Sequence, residues 1–173
     1  PIRGGAHVGL QSPLGGSNFE AYGGAGDDKF TATYSTSSTL IGGLGADTVY
    51  GGYSMEIEGG PGNDVIEAKY FSDEAYGNLD DDRVYGEGGD DLLFGGQGDD
   101  SVFSGMGADT VYGNKGEDTV YGNPGDDVLY GGTSPAFDIV DADTFVIDSQ
   151  TTSFIDNNFV QTGDDRIVDF EIG

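Results

Sequence analysis

The sequence contains no cysteine, and Lys and Arg together number only six. The first absence removes disulfides, the usual staple of a small exported fold. The second argues against nucleic acid as a partner, because phosphates are neutralised by Lys and Arg. It argues equally against anionic membrane surfaces. His7 is the only histidine and no H-E-x-x-H run is present, so transition-metal and zinc-protease patterns are missing. His7 is read as a surface residue. No apolar run approaches the roughly 18 residues of a membrane helix, so no membrane insertion is expected. Residues 1–22 lack the basic start and apolar core of a cleaved signal peptide. Ser and Thr are scattered without a nucleophile elbow, and no catalytic residue is nominated. The chain is expected not to be an enzyme.

Acid and glycine dominate what is there. Asp and Glu number 32, and the formal net charge is −26. Cations are the natural partners of such a chain. Glycine numbers 33, well above the usual share of about 7%. A glycine-rich acidic chain is either low-complexity or a repeat with many tight turns, and its period decides between the two.

From Gly77 onward the chain divides into nines: GNLDDDRVY (77–85), GEGGDDLLF (86–94), GGQGDDSVF (95–103), SGMGADTVY (104–112), GNKGEDTVY (113–121) and GNPGDDVLY (122–130). Earlier copies are GGAGDDKFT (23–31), GGLGADTVY (42–50) and GGPGNDVIE (59–67). The consensus is G-G-x-G-x-D-x-U-x, with U a large apolar residue. Three units depart from it. ATYSTSSTLI (32–41) has lost its glycines and Asp and gained a residue, GGYSMEIE (51–58) is one short, and AKYFSDEAY (68–76) has no glycine. Asp28, Asp47, Asp64, Asp82, Asp100 and Asp118 still fall near eighteen apart, so the register survives the departures.

Each nonamer predicts a six-residue turn and a three-residue strand. Glycine at positions one, two and four permits φ > 0 and close backbone approach. In the x-U-x tail only U points inward. The U residues are Phe30, Val49, Ile57, Ile66, Ala75, Val84, Leu93, Val102, Val111, Val120, Leu129 and Phe145. Two nonamers make one coil, and like loops stack every eighteen residues at the ~4.8 Å strand spacing. Stacking sets Asp over Asp. Two carboxylates at that distance repel by about 3.5 kcal/mol at an effective dielectric of 20. One inward apolar side chain per nine ordered residues offsets little of the ordering entropy. A bridging cation is therefore expected to be needed for folding.

The nonapeptide resembles the RTX (repeat-in-toxin), hemolysin-type calcium-binding repeat of bacterial exported proteins. The resemblance implies an all-β fold, a right-handed parallel β-roll or calcium-bound β-solenoid. It also implies several Ca2+ ions held between stacked loops by backbone carbonyls and Asp oxygens, one Asp serving two ions through its two oxygens. By motif position the implied carboxylates are Asp28, Asp47, Asp64, Asp82, Asp91, Asp100, Asp109, Asp118, Asp127 and Asp143. The implied carbonyls include those of Gly43, Gly45, Gly60, Gly62, Gly96, Gly98, Gly105, Gly107, Gly116 and Gly125. Asp80 replaces glycine at position four of the 77–85 unit, which leaves that turn's geometry open and offers a further oxygen.

The expected organisation is an irregular N-terminal segment (1–22), a roll (23–146) and a C-terminal cap (147–173). In the cap, GDDRIVDFEIG (163–173) is similar to the segment after the repeats in serralysin-type proteases, bacterial lipases and alginate epimerases. With Pro1 at the start and a short cap, the chain is expected to be part of a longer protein. The resemblance implies export by type I secretion and folding outside the cell. The alternative is a surface-layer, adhesive or filament subunit built from the same roll.

Position nine is aromatic at Tyr50, Tyr76, Tyr85, Phe94, Phe103, Tyr112, Tyr121 and Tyr130. Alternate members should form two outward stripes, either stacking across strands or meeting sugars, an adjoining domain or another roll. The third positions carry no row of Thr or Asn, which removes ice binding. Loops alternate between two edges. One edge should carry calcium along nearly its whole length. The other receives the three departing units and should be metal-poor through about residue 76, with Ser37 in place of the Asp, Glu56 in the shortened loop, and Lys69 placing its charge near the vacancy.

Overall fold

The structure, a computed structural model, describes residues 18–32, 34–132 and 143–146, with the backbone of short strands at 2–3, 10–11 and 166–168. His7 and most of the cap lie outside the described residues. The strands fall into two parallel sheets. One contains β1 (Ile2–Arg3), β3 (Glu20–Ala25), β5 (Thr39–Leu44), β7 (Glu56–Pro61), β9 (Glu74–Leu79), β11 (Leu92–Gln97), β13 (Thr110–Lys115), β15 (Val128–Gly132) and β17 (Arg166–Val168). The other contains β2 (Leu10–Gln11), β4 (Lys29–Thr31), β6 (Thr48–Tyr50), β8 (Val65–Glu67), β10 (Arg83–Tyr85), β12 (Ser101–Phe103), β14 (Thr119–Tyr121) and β16 (Thr144–Val146). Each strand pairs with the next but one in sequence, so the chain winds as a parallel β-roll with two nonamers per coil. Within 1–22, β1 adds to β3 and β2 adds to β4.

The register shows where the departing units go. Glu20 pairs with Thr39 and Thr39 with Glu56, a longer and then a shorter step. The following partners, Glu74, Leu92, Thr110 and Val128, then recur at the regular spacing. The extra and missing residues are both taken up in the loops that lead into β5 and β7. A longer excursion follows β14, whose Thr119 pairs with Thr144.

The strands are not the uniform three residues that the nonamer predicts. In the first sheet they run through x-U-x-G-G-x, as in β11 and β13, where Gly96 pairs with Asn114 and Gln97 with Lys115. In the second sheet they keep three residues. Turns after the long strands are correspondingly short. Turns after the short strands hold only isolated bridges, such as Gly88 with Met106.

The alternation of the tail places its apolar residue inside. Phe30, Val49, Ile57, Ile66, Ala75, Val84, Leu93, Val102, Val111, Val120 and Leu129 are fully buried, and Phe145 packs partly against them. Ala21 and Leu40 continue the row into the irregular units. The period extends one residue further than expected, because position one also faces inward. Gly59 and Gly95 are buried there without a positive φ. A Cβ on Gly95 would lie 2.5 Å from Asp100 Oδ2 and 2.8 Å from the Gly113 carbonyl. Space, and not left-handed backbone, is what position one requires.

Outside, the position-nine rings stack nearly parallel. Tyr76, Phe94, Tyr112 and Tyr130 follow one another at 4.4–5.0 Å, with interplanar angles of 2–7°. Tyr85, Phe103 and Tyr121 do so on the other sheet at 4.1–4.6 Å. Each inner ring covers its neighbours' faces, so these stripes act as cross-strand cement.

Because Leu93 has no exposed surface and Leu44 at position three is 57% exposed, the two leucines should respond differently to truncation. Leu93→Ala is expected to cost about 2–5 kcal/mol. Leu44→Ala should stay within about 0.5 kcal/mol of the parent. Urea unfolding in calcium-containing buffer measures both, and equal losses would contradict the assigned inward row.

Candidate metal centre

Position six of every regular nonamer closes its turn, and the turn folds the Asp side chain back over position one of the same loop. Asp28, Asp47, Asp64, Asp82, Asp91, Asp100, Asp109, Asp118 and Asp127 are all at most 3% exposed. They form two rows, one along each edge, as the spacing predicts. In the first row the N–H of Asp28 donates to Asp47 Oδ1 at 2.7 Å, and the same bond links Asp47 to Asp64 and Asp64 to Asp82. It continues from Asp82 to Asp100, from Asp100 to Asp118, and at 3.0 Å from Asp118 to Asp143. In the second row Asp73 donates to Asp91, Asp91 to Asp109 and Asp109 to Asp127, at 2.8–2.9 Å.

From Asp47 onward in the first row and from Asp73 in the second, one carboxylate oxygen thus satisfies a backbone donor of the preceding coil. The other is buried. Both oxygens of Asp28 are buried without a hydrogen bond. Among the described residues, Oδ2 of Asp47, Asp64, Asp73, Asp82, Asp91 and Asp100 accepts no hydrogen bond. An orphaned buried anionic oxygen is costly unless a cation meets it.

The glycines supply further oxygens. Gly43, Gly45, Gly60, Gly62, Gly96, Gly98, Gly105, Gly107 and Gly116 all have positive φ. Carbonyls among them face the neighbouring loop: Gly43 O lies against the place a Cβ on Gly60 would take, Gly45 O against that of Gly62, and Gly98 O against that of Gly116. Gly107 O stands in the same relation to Gly125. Asp80, whose turn the sequence left open, keeps the turn with a φ of 73°, and its carbonyl lies against Gly98. Among the described residues no group of three or more His, Cys, Asp or Glu side chains forms a metal cage. The oxygens gathered between loops are instead backbone carbonyls with carboxylates added, a hard donor set that fits Ca2+ better than a transition metal.

Two expectations for the departing loops need correction. Ser38, not Ser37, holds the Asp position before β5: its Oγ accepts the Phe19 N–H at 3.3 Å and donates to Thr36 O. In the shortened loop before β7 Met55 holds it, next to Glu56, and its N–H donates to Asp73 Oδ1. The insertion and deletion lie earlier in these loops than the sequence alone indicates. The ammonium of Lys69 is also not at the vacancy. It pairs with Glu67 and sits 5.4 Å from the centroid of the Tyr50 ring.

Burial raises these acids. Loss of water is the largest cause, neighbouring carboxylates add to it, and the accepted N–H bond opposes it. Asp64, Asp73, Asp91 and Asp100 rise to about 7 and Asp82 to about 8. Asp47 and Asp109 rise in the same direction. A carboxyl whose folded pKa lies above its unfolded value favours the fold fully below the unfolded pKa, and loses that contribution as pH climbs through the folded one. The metal-free roll should therefore be favoured below about pH 4 and lose this contribution as pH rises through about 7 to 8. Far-ultraviolet circular dichroism in metal-stripped buffer should show sheet increasing on acidification from pH 8 to 4. A flat profile would contradict the burial of ionised acids as the cost.

A family model of the RTX calcium-binding nonapeptide repeat matches residues 35–53, 56–70, 68–102, 76–111 and 103–133. These segments take in more than half of the chain and most of both Asp rows. A search of curated proteins finds no match. With its two rows of turn-closing Asp residues on a parallel β-roll, the chain belongs to the RTX calcium-binding repeat family.

Proposed function

We propose that this chain is a calcium-triggered folding module of a larger secreted protein. The observation that carries the proposal is the buried, unpartnered second oxygen repeated along the Asp rows. On the first edge, Asp28, Asp47, Asp64, Asp82, Asp100, Asp118 and Asp143 would supply carboxylates, with carbonyls of Gly43, Gly45, Gly60, Gly62, Gly96, Gly98 and Gly116. On the second, Asp91, Asp109 and Asp127 would do so with Gly105, Gly107 and Gly125. Oδ1 is committed to the N–H of the preceding coil, so Oδ2 is the oxygen assigned to the ion. Sharing of one Asp between two ions would need Oδ1 to serve a donor and an ion together.

Calcium supplies positive charge between loops that otherwise stack carboxylate on carboxylate. In a cytosol poor in calcium the chain would stay open and pass through an export channel. Outside, at the millimolar calcium that extracellular modules are tuned to, it would close. The stacked rings favour this reading over an aromatic binding face, because most ring faces are used within the sheet.

In chelator at neutral pH the chain should be mostly coil by circular dichroism, and millimolar calcium should bring out the sheet. Magnesium should substitute poorly, since it demands a small octahedral site and dehydrates reluctantly. A full sheet that persists in chelator at pH 8 would sink the proposal.

A further inference from the structure

The loop 68–73, AKYFSD, contains no glycine, and by motif it should hold no ion. Its backbone nevertheless follows the glycine-bearing loops of the same edge. Lys69 has a φ of 94° and Phe71 a φ of 65°, where the next loops have Glu87 at 72° and Gly89 at 146°, then Gly105 at 108° and Gly107 at 148°. A left-handed conformation costs an ordinary residue roughly 1–2 kcal/mol and persists where its surroundings impose it. The carbonyls follow suit. Phe71 O lies 2.0 Å from where a Cβ on Gly89 would stand, Gly89 O stands likewise to Gly107, and Gly107 O to Gly125. Phe71 O therefore faces the gap between loops as the regular position-four carbonyls do.

Asp73 completes the likeness. It is 4% exposed, its Oδ1 accepts the Met55 N–H, its N–H donates to Asp91 Oδ1 at 2.8 Å, and its Oδ2 has no hydrogen-bond partner. The cation that could have neutralised it in place, the Lys69 ammonium, is paired with Glu67 instead. One coil earlier the row stops, because buried Met55 brings no oxygen to position six.

We infer that the glycine-free loop 68–73 binds calcium together with loop 86–91, through Asp73 and the Phe71 carbonyl, so that the second row of ions begins one coil earlier than the motif indicates. This rests on the calcium reading above and adds a site to it. Occupancy does not depend on glycine here. It depends on a carboxylate at position six in both of two stacked loops, and the Met55 loop fails that condition where the Asp73 loop meets it.

Asp73→Asn tests the inference on the full chain. The amide keeps the shape and an acceptor for the Met55 N–H but removes the anionic oxygen. Equilibrium dialysis against saturating calcium, with metal analysis and circular dichroism, should show a folded variant with one bound ion fewer than the parent. A folded variant with an unchanged ion count overturns the inference. Should the variant fail to fold, a calcium-anomalous map of crystals of the parent protein decides: a peak between loops 68–73 and 86–91 is expected. Peaks between the loops of Asp91, Asp109 and Asp127 with none at Asp73 overturn this inference alone. A map without calcium in either row overturns the calcium reading with it.

Discussion

Everything in this fold hangs on a carboxylate that does two incompatible things. Its first oxygen accepts the backbone N–H of the coil before it, so it must be buried against the neighbouring loop. Its second oxygen is carried into the same dry place with nothing to meet it. Hydrogen bonding makes the stack regular, and the charge it carries into a dry place makes that regularity costly. Glycine at position one leaves room for this carboxylate, and left-handed residues at positions two and four turn carbonyls toward the same gap.

The division of labour between faces follows. The interior between the sheets is filled by one inward U row from each sheet and narrowed by position one. Such a core is thin, and the stacked rings outside add contact area that the interior cannot provide. Exposed Asp residues at position five add a third device. The Ala46, Asp99, Ala108 and Glu117 N–H groups donate to Asp27, Asp81, Asp90 and Asp99 respectively, each one coil back. Positions five and six thus send their hydrogen bonds in opposite directions along the roll.

Much of this was legible in the sequence because the period is short and repeated. The inward U row, both Asp rows and the two aromatic stripes follow from a nine-residue count. What was not legible has physical causes. An insertion or deletion does not announce which side of a turn absorbs it, so a residue count puts Ser37 where Ser38 stands. Its motif position puts Lys69 near the vacancy, but a long side chain follows its partners, Glu67 and the Tyr50 ring. Glycine alone does not say whether angle or space selects it, and at position one it is space. The left-handed φ of Lys69 and Phe71 is imposed by the coil stacked on them, a constraint that no local pattern carries.

The longer step from Asp118 to Asp143 carries the first row past the last regular nonamer. The N–H groups of Asp28, Asp47, Asp64, Asp82 and Asp100 each meet a carboxylate brought in by the next regular coil. After Thr119–Tyr121 and Val128–Gly132 the chain takes a longer step than the regular coils, then returns Asp143 to accept the Asp118 N–H. Asp143 does for a stack of loops what an N-cap residue does for a helix. Row length on that edge is therefore set where a carboxylate last comes back, and not where the glycines run out.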